Sequence, residues 1–264
     1  DLPEIDAGFY SWLSAHPGGK RIFALLQLGE THSAERELRY LWMEMPKQYR
    51  LGVMRFASEH GMAGLAFRVA EIIRKDTGVS WYGALYPHPQ FKVDYEIDEA
   101  LVWAISRQES GFNPRAKSSA KAAGLMQLMP ATASFIARDR GYRGRKRHQL
   151  FEPELNLKLG QNYIQHLLDE PLVESSLIRL LAAYNGGPGN LRKWLGKVDH
   201  QDDPFLLVES MPARETRYYV KNVISNLGIY RQRFGETTPA LSGLAAGNGG
   251  KFVPSKAIDK GLAN

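Results

Sequence analysis

From residue 22 to residue 230, apolar residues recur at helical spacing, and no stretch alternates at the period of two that a half-buried strand needs. That pattern restricts the chain to an all-α architecture. Ile22, Leu25, Leu26 and Leu28 are followed by Ala34, Leu38 and Leu41, with Gly29-Glu30-Thr31 between them as a turn. A second pair of helices covers Tyr49–Glu59 and Gly64–Arg74, split by His60-Gly61-Met62. Tyr86-Pro87-His88-Pro89 reads as a linker, because two alternating prolines block a helix.

Paired helices with Ala34, Ala63, Ala66 and Ala70 at their crossings predict a short α-solenoid over residues 1–94, without a strict repeat. Beyond the linker, Asp98 is placed to cap a helix over Glu99–Gln108, which Gly111 and Pro114 end. Pro130 opens a helix running to about Arg138. Further helices pass through Gly160, Tyr163, Ile164, Leu167 and Leu168, and through about Val173–Tyr184. The second of these stops at Asn185-Gly186-Gly187-Pro188-Gly189, and a last long helix spans roughly Pro212–Arg233. Leu125–Met129 reads as one short extended piece, and residues 236–264 read as a flexible tail. The division is therefore 1–94, 95–235 and 236–264.

Composition closes off several chemistries. No cysteine is present, which excludes thiol nucleophiles, cysteine zinc sites, iron–sulfur clusters and disulfides. None of the seven histidines forms an i,i+4 pair, so a histidine metal site has no local support, and no cofactor is implied. Gly186–Gly189 follows a helix instead of a strand and lacks a downstream Lys-Ser/Thr, so it is not a phosphate loop. No stretch approaches the length of a transmembrane helix. The chain begins at Asp1 with neither Met nor a leader, which reads as a processed protein or a fragment. A net charge of +6 suggests a polyanionic partner, yet Arg138–Arg147, RDRGYRGRKR, alone holds six cations and one Asp, or +5. The basicity is one loop, so nucleic acid is not the expected partner. The bland reading of that loop is a solvated mobile connection. The functional one is attraction to an anionic polymer.

Glu109 continues the apolar face of its helix through Leu101 or Val102 and Ile105, at the helix C-terminus. Desolvation and the helix dipole there both raise a carboxyl's pKa toward a proton donor's range. A second reading stays open, in which Glu109 lies one residue past the helix and points to water. In Gly124-Leu125-Met126-Gln127-Leu128-Met129-Pro130, two methionines flank an amide suited to a hydroxyl or acetamido group. Ordinary core packing, with Gln127 capping the next helix, is the alternative there.

Three segments occur in order: Ala104-Ile105-Ser106-Arg107-Gln108-Glu109-Ser110-Gly111-Phe112-Asn113-Pro114, Gly124–Ala133, and Ala183-Tyr184-Asn185-Gly186-Gly187-Pro188-Gly189. With Glu152–Leu157 and Glu209–Val223, they resemble the soluble lytic murein transglycosylases over about residues 80–234. Residues 1–94 resemble, less specifically, the helical superhelix preceding the catalytic domain in the large periplasmic members. The resemblance implies a lysozyme-like α domain that cleaves the MurNAc-β-1,4-GlcNAc bond of peptidoglycan and leaves 1,6-anhydromuramic ends. It implies a periplasmic location, free or outer-membrane associated, with peptidoglycan glycan strands as partner. Glu109 matches the single catalytic acid. Ser118, Gln127, Met129, Tyr184, Asn185 and Glu215 match substrate-groove positions, Tyr184 facing the carboxyl and Glu215 as a second acid near the cleft. Lys121 stands where the family usually has Gly; if positive φ is needed there, the loop carrying Ser118 is expected to be reshaped. Two other functions share these features: a goose-lysozyme-like muramidase that adds water, and a non-catalytic cell-wall-binding scaffold.

Overall fold

A computed structural model describes residues 2–201, 203–247 and 250–252. Two compact units separate, Asp1–Phe91 with Gly111–Asn113, and Lys92–Ser110 with Pro114–Asn264. Among the described residues the structure is all-α, and pairing between extended segments is limited to isolated bridges.

The first unit holds α1 (Ala7–Ala15), α2 (Pro17–Gln27), α3 (Thr31–Glu44), α4 (Arg50–Glu59), α5 (Ala63–Thr77) and α6 (Tyr82–Leu85). Consecutive helices pack as pairs, α2 on α3 and α4 on α5, with Ile22, Ala34, Leu38, Val53, Phe56, Ala66 and Ala70 buried. Gly78, at φ +76, ends α5 in the left-handed conformation that glycine adopts without steric cost. The spacing of Ile22 to Leu41 and of Tyr49 to Arg74 thus corresponds to real helix pairs. α1 and α6 escape it, because each buries only two residues, Phe9 and Leu13 or Ala84 and Leu85, too few to make a period.

The second unit holds α7 (Glu99–Ser110), α8 (Pro130–Ile136), α9 (Pro153–Leu168), α10 (Leu177–Gly186), α11 (Pro188–Leu195), α12 (Pro204–Ser210), α13 (Arg214–Arg233) and α14 (Pro239–Ala245). Five of these begin on proline, whose fixed φ and missing N–H suit the first helical turn. Asp98 caps α7 by accepting from the Leu101 amide at 3.0 Å, and its other oxygen is ion-paired with Arg231 on α13. Both side chains are buried, so α7 is clamped at its start onto α13, along which it packs.

Several expectations need correction. Val173–Ser176 is not helical: Glu174 and Ser175 have φ of +50 and +56, and Ser176 caps α10 through the Arg179 amide. Short α11 and α12 follow, which the Asn185–Gly189 breaker hid. The basic run is a folded segment, not a mobile loop. Two 3₁₀ turns, Arg140–Arg143 and Arg147–Phe151, wrap a buried Tyr142, while Lys146 pairs with Asp139 at 2.6 Å. Residues 236–252 are folded where described. α14 buries Ala240 and Leu244, Phe252 is buried, and the Phe252 amide donates to Ser175 O at 2.7 Å. Three widely spaced apolar residues are too few for a sequence period. Residues 253–264 of the expected tail lie outside the described residues.

Candidate active site

Glu109 sits in the last turn of α7, inside the helix and not past it. All apolar faces of that helix from Ala100 to Ile105 are buried, so the backbone position of Glu109 is held from three sides. Its side chain enters a cavity of about 400 Å³ lined by Ser118, Gln127, Met129, Tyr184, Asn185 and Glu215, among others. Each groove residue read from the sequence therefore faces the same space as Glu109.

Burial pushes the Glu109 carboxyl up to about 7, the nearby Glu215 carboxylate adds to the rise, and the Tyr219 hydroxyl partly opposes it. A carboxyl with that pKa is largely protonated in mildly acidic to neutral water, as a general acid requires. Glu215 occupies the exposed first turn of α13, where the helix dipole favours its charge.

Three tyrosines stack beside the carboxyl. Tyr163 and Tyr184 have ring centroids 5.3 Å apart, and Tyr184 and Tyr219 lie nearly parallel at 6.5 Å. Burial pushes the Tyr163 phenol up to about 12, and drives Tyr184 and Tyr219 well above the ordinary range with help from Glu109. All three stay neutral. The Tyr184 hydroxyl donates to Met126 O at 2.9 Å, so it anchors the 124–129 loop instead of bonding the carboxyl it was expected to face. The Tyr219 hydroxyl is buried beside the Glu109 carboxyl, near enough to favour its charged form although short of strict hydrogen-bond geometry.

The 114–129 loop shapes the opposite wall. Ser118 Oγ accepts from the Ala122 amide at 3.0 Å, and Lys121 holds φ +75. The loop is therefore not reshaped around Lys121; that residue takes the left-handed conformation itself, at a cost of about 1 kcal/mol. Gln127, at φ +48, donates from Nε2 to Ala116 O and Gly124 O, which leaves Oε1 as its free acceptor. Met129 is 39% exposed at the cavity, whereas Met126 is fully buried against Gly160 and belongs to the core. The pair of methionines is thus one groove residue and one packing residue. Asn185 accepts from Thr216 Oγ1 at 2.7 Å, which fixes its amide with the NH₂ as remaining donor.

Sequence reading missed the residue that holds this wall. Asn156 on α9 is fully buried, accepts from the Met126 amide at 2.8 Å, and donates to Ala123 O and Leu150 O. Gly124, at φ +82, leaves room for it, since a Cβ there would meet Asn156 Nδ2 at 2.3 Å. A polar residue in helical phase with the buried Leu159 and Gly160 of α9 was the available signal. Tyr163, Thr132 and Tyr219 were likewise missed, being read only as helix-face residues or not singled out. Among the described residues, no group of three or more His, Asp or Glu is arranged to hold a metal ion, and no helix is long and apolar enough to cross a membrane.

Residues 90–205 match the transglycosylase SLT domain family. Over 150 residues the chain is 41% identical to the soluble lytic murein transglycosylase of Salmonella typhimurium, covering 56% of this chain and 23% of that protein. The 70 kDa soluble lytic transglycosylase of Escherichia coli superposes with a TM-score of 0.72 at 29% identity, over 89% of this chain and 38% of the other. A complex of the 70 kDa soluble lytic transglycosylase with bulgecin A superposes at 0.73, also at 29% identity, over 89% and 38%. The chain spans about a quarter of the length of the curated relative it matches. Residues 90–205 of this all-α chain thus match a transglycosylase SLT domain, and the chain is similar there to soluble lytic murein transglycosylases.

Proposed function

We propose that the chain cleaves the MurNAc-β-1,4-GlcNAc bond of peptidoglycan without adding water, with Glu109 as the single general acid and base. The observation that carries this reading is a carboxyl raised to about 7 in a cavity it shares with Glu215 and five polar or apolar groove residues. Protonated Glu109 gives its proton to the glycosidic oxygen as the C1–O bond breaks. The substrate's 2-acetamido oxygen supports the electron-poor C1, so no second carboxylate need attack. Glu109, now a carboxylate, takes the proton of the C6 hydroxyl, whose oxygen bonds C1 and closes the 1,6-anhydro ring. Neutral Tyr163, Tyr184 and Tyr219 keep competing charge away from Glu109. Gln127 Oε1 and the Asn185 NH₂ supply the acceptor and donor that an acetamido group needs. Ser118 and Met129 complete the binding wall, and Glu215 orients substrate at the cavity edge.

The same reading assigns residues 1–94 to helical support, 95–235 to the catalytic domain and 236–264 to a C-terminal extension, with the protein acting in the periplasm. The four exposed arginines Arg138, Arg140, Arg143 and Arg145 carry the cationic surface expected to meet anionic wall polymers. Salt-sensitive binding to whole walls, lost when three of them become Glu, tests that point.

Mass spectrometry of products from purified peptidoglycan tests the reaction. Anhydro ends absent from Glu109→Gln digests are expected; products heavier by one water would instead assign a muramidase, and binding without turnover a scaffold.

A further inference from the structure

Phe135 is 61% exposed and lies three residues along α8 from the cavity-lining Thr132. His166 lies three residues along α9 from the cavity-lining Tyr163, and its ring meets Phe135 edge-on at 5.1 Å. Residues at i and i+3 share a helix face, so both pairs continue the cavity wall in the same direction. The step is about 4.5 Å along each helix, the scale of one sugar ring.

Isolated exposed aromatics are common on protein surfaces, but this one is built in. Helical side chains lean toward the N-terminus, so the Phe135 ring leans back toward Thr132 and the cavity. Its ring stays largely in solvent, while the adjoining Ile136 and Ala137 pack the small cluster around Tyr142 and Leu150. His166 borders it on one side and is held by Glu170, Nε2 to Oε1, at 3.7 Å. An apolar ring face with an imidazole and a carboxylate at its edge suits a pyranose, which offers C–H bonds from its faces and hydroxyls from its rim.

We propose that the glycan groove extends one sugar beyond the cavity onto a platform formed by Phe135, with His166 and Glu170 at its polar edge. This rests on the glycan-cleaving reading above. The occupant is a further ring of the same strand, because the platform continues the cavity lip formed by Thr132 and Tyr163.

The test is calorimetric binding of peptide-free glycan oligomers of increasing length to the Glu109→Gln protein, with and without Phe135→Ala. Phe135→Ala is expected to weaken the longer oligomers about 3- to 10-fold, the range of one aromatic stacking contact. The shortest oligomers are expected to bind unchanged, and Phe135→Trp to restore the long ones. An unchanged Tm for Phe135→Ala shows the effect is not misfolding. Equal loss at all lengths, or none at any, overturns the platform. If the wild type yields anhydro products while Phe135→Ala is silent, only the platform fails. If the wild type neither binds nor cleaves glycan, the catalytic reading fails and the platform with it.

Discussion

The two units are held together by different means. In the first, the buried side chains among the described residues are apolar; ion pairs such as Arg21–Glu37, Arg55–Glu59 and Arg74–Glu71 lie at the surface, and Arg39–Glu35 is half-buried. In the second, Asp98, Asn156, Gln161, Thr216, Asn226 and Arg231 are all buried, and each bonds a specific partner. Apolar burial is non-directional and tolerates exchange of one hydrophobe for another. Buried polar groups have few acceptable geometries, because leaving one unpaired is costly. The second unit uses them where position matters: Asp98 and Arg231 set the start of the Glu109 helix, Asn156 the loop of Gln127, Thr216 the amide of Asn185. The difference is between a scaffold that needs to be compact and a site that needs to be exact in geometry.

The sharpest way to break this contrast is Asp98→Ala. It removes a buried carboxylate partner of Arg231 together with the α7 cap, and is expected to lower stability by about 3–5 kcal/mol in denaturant titration. Asn156→Ala follows. Three backbone groups of the groove loop and its neighbours lose their partner, for about 2–4 kcal/mol and a loss of glycan affinity larger than the loss of fold. Glu109→Gln moves stability the other way. The folded carboxyl titrates near 7 and the unfolded one near 4.5, so the native state holds its proton more tightly. Wild-type stability is therefore fully present below pH 4.5 and declines as pH rises through 7, by about 1–3 kcal/mol. The Gln variant is expected to lack that decline, and catalysis to fall above pH 7 as the acid is lost. The smallest effect belongs to the first unit: Glu59→Ala removes an exposed i,i+4 pair with Arg55 and is expected to change stability by less than about 0.5 kcal/mol. A loss of several kcal/mol there would erase the comparison.

Much of the helical order was legible in advance, for a local reason. Ile22 to Leu41 and Tyr219 to Tyr230 advertise their helices by spacing, and Pro130 and Asp98 mark where helices begin. Glu109 could be singled out because its helical phase pointed it at the apolar side of α7. Elements with only two buried residues, such as α1, α6 and α14, left no period to read. The basic run looked like solvent-exposed loop because charge dominates its composition, although a single Tyr142 organises it.

Sequence by itself determined the all-α character and the helix pairs, since helical phase is a property of the chain, and its resemblance to a known family named the residues from Glu109 to Glu215 that line one cavity. Only the tertiary structure decided which groups those residues bond. Tyr184 donates to the Met126 carbonyl, Gln127 is turned into its own loop, Lys121 accepts a left-handed backbone, and Asn156 binds three backbone groups up to 33 residues away. Hydrogen bonds and desolvation depend on distances between segments remote in sequence. The Glu109 carboxyl rises to about 7 because burial, Tyr219 and Glu215 converge on it, and their convergence is written in no local stretch of the chain.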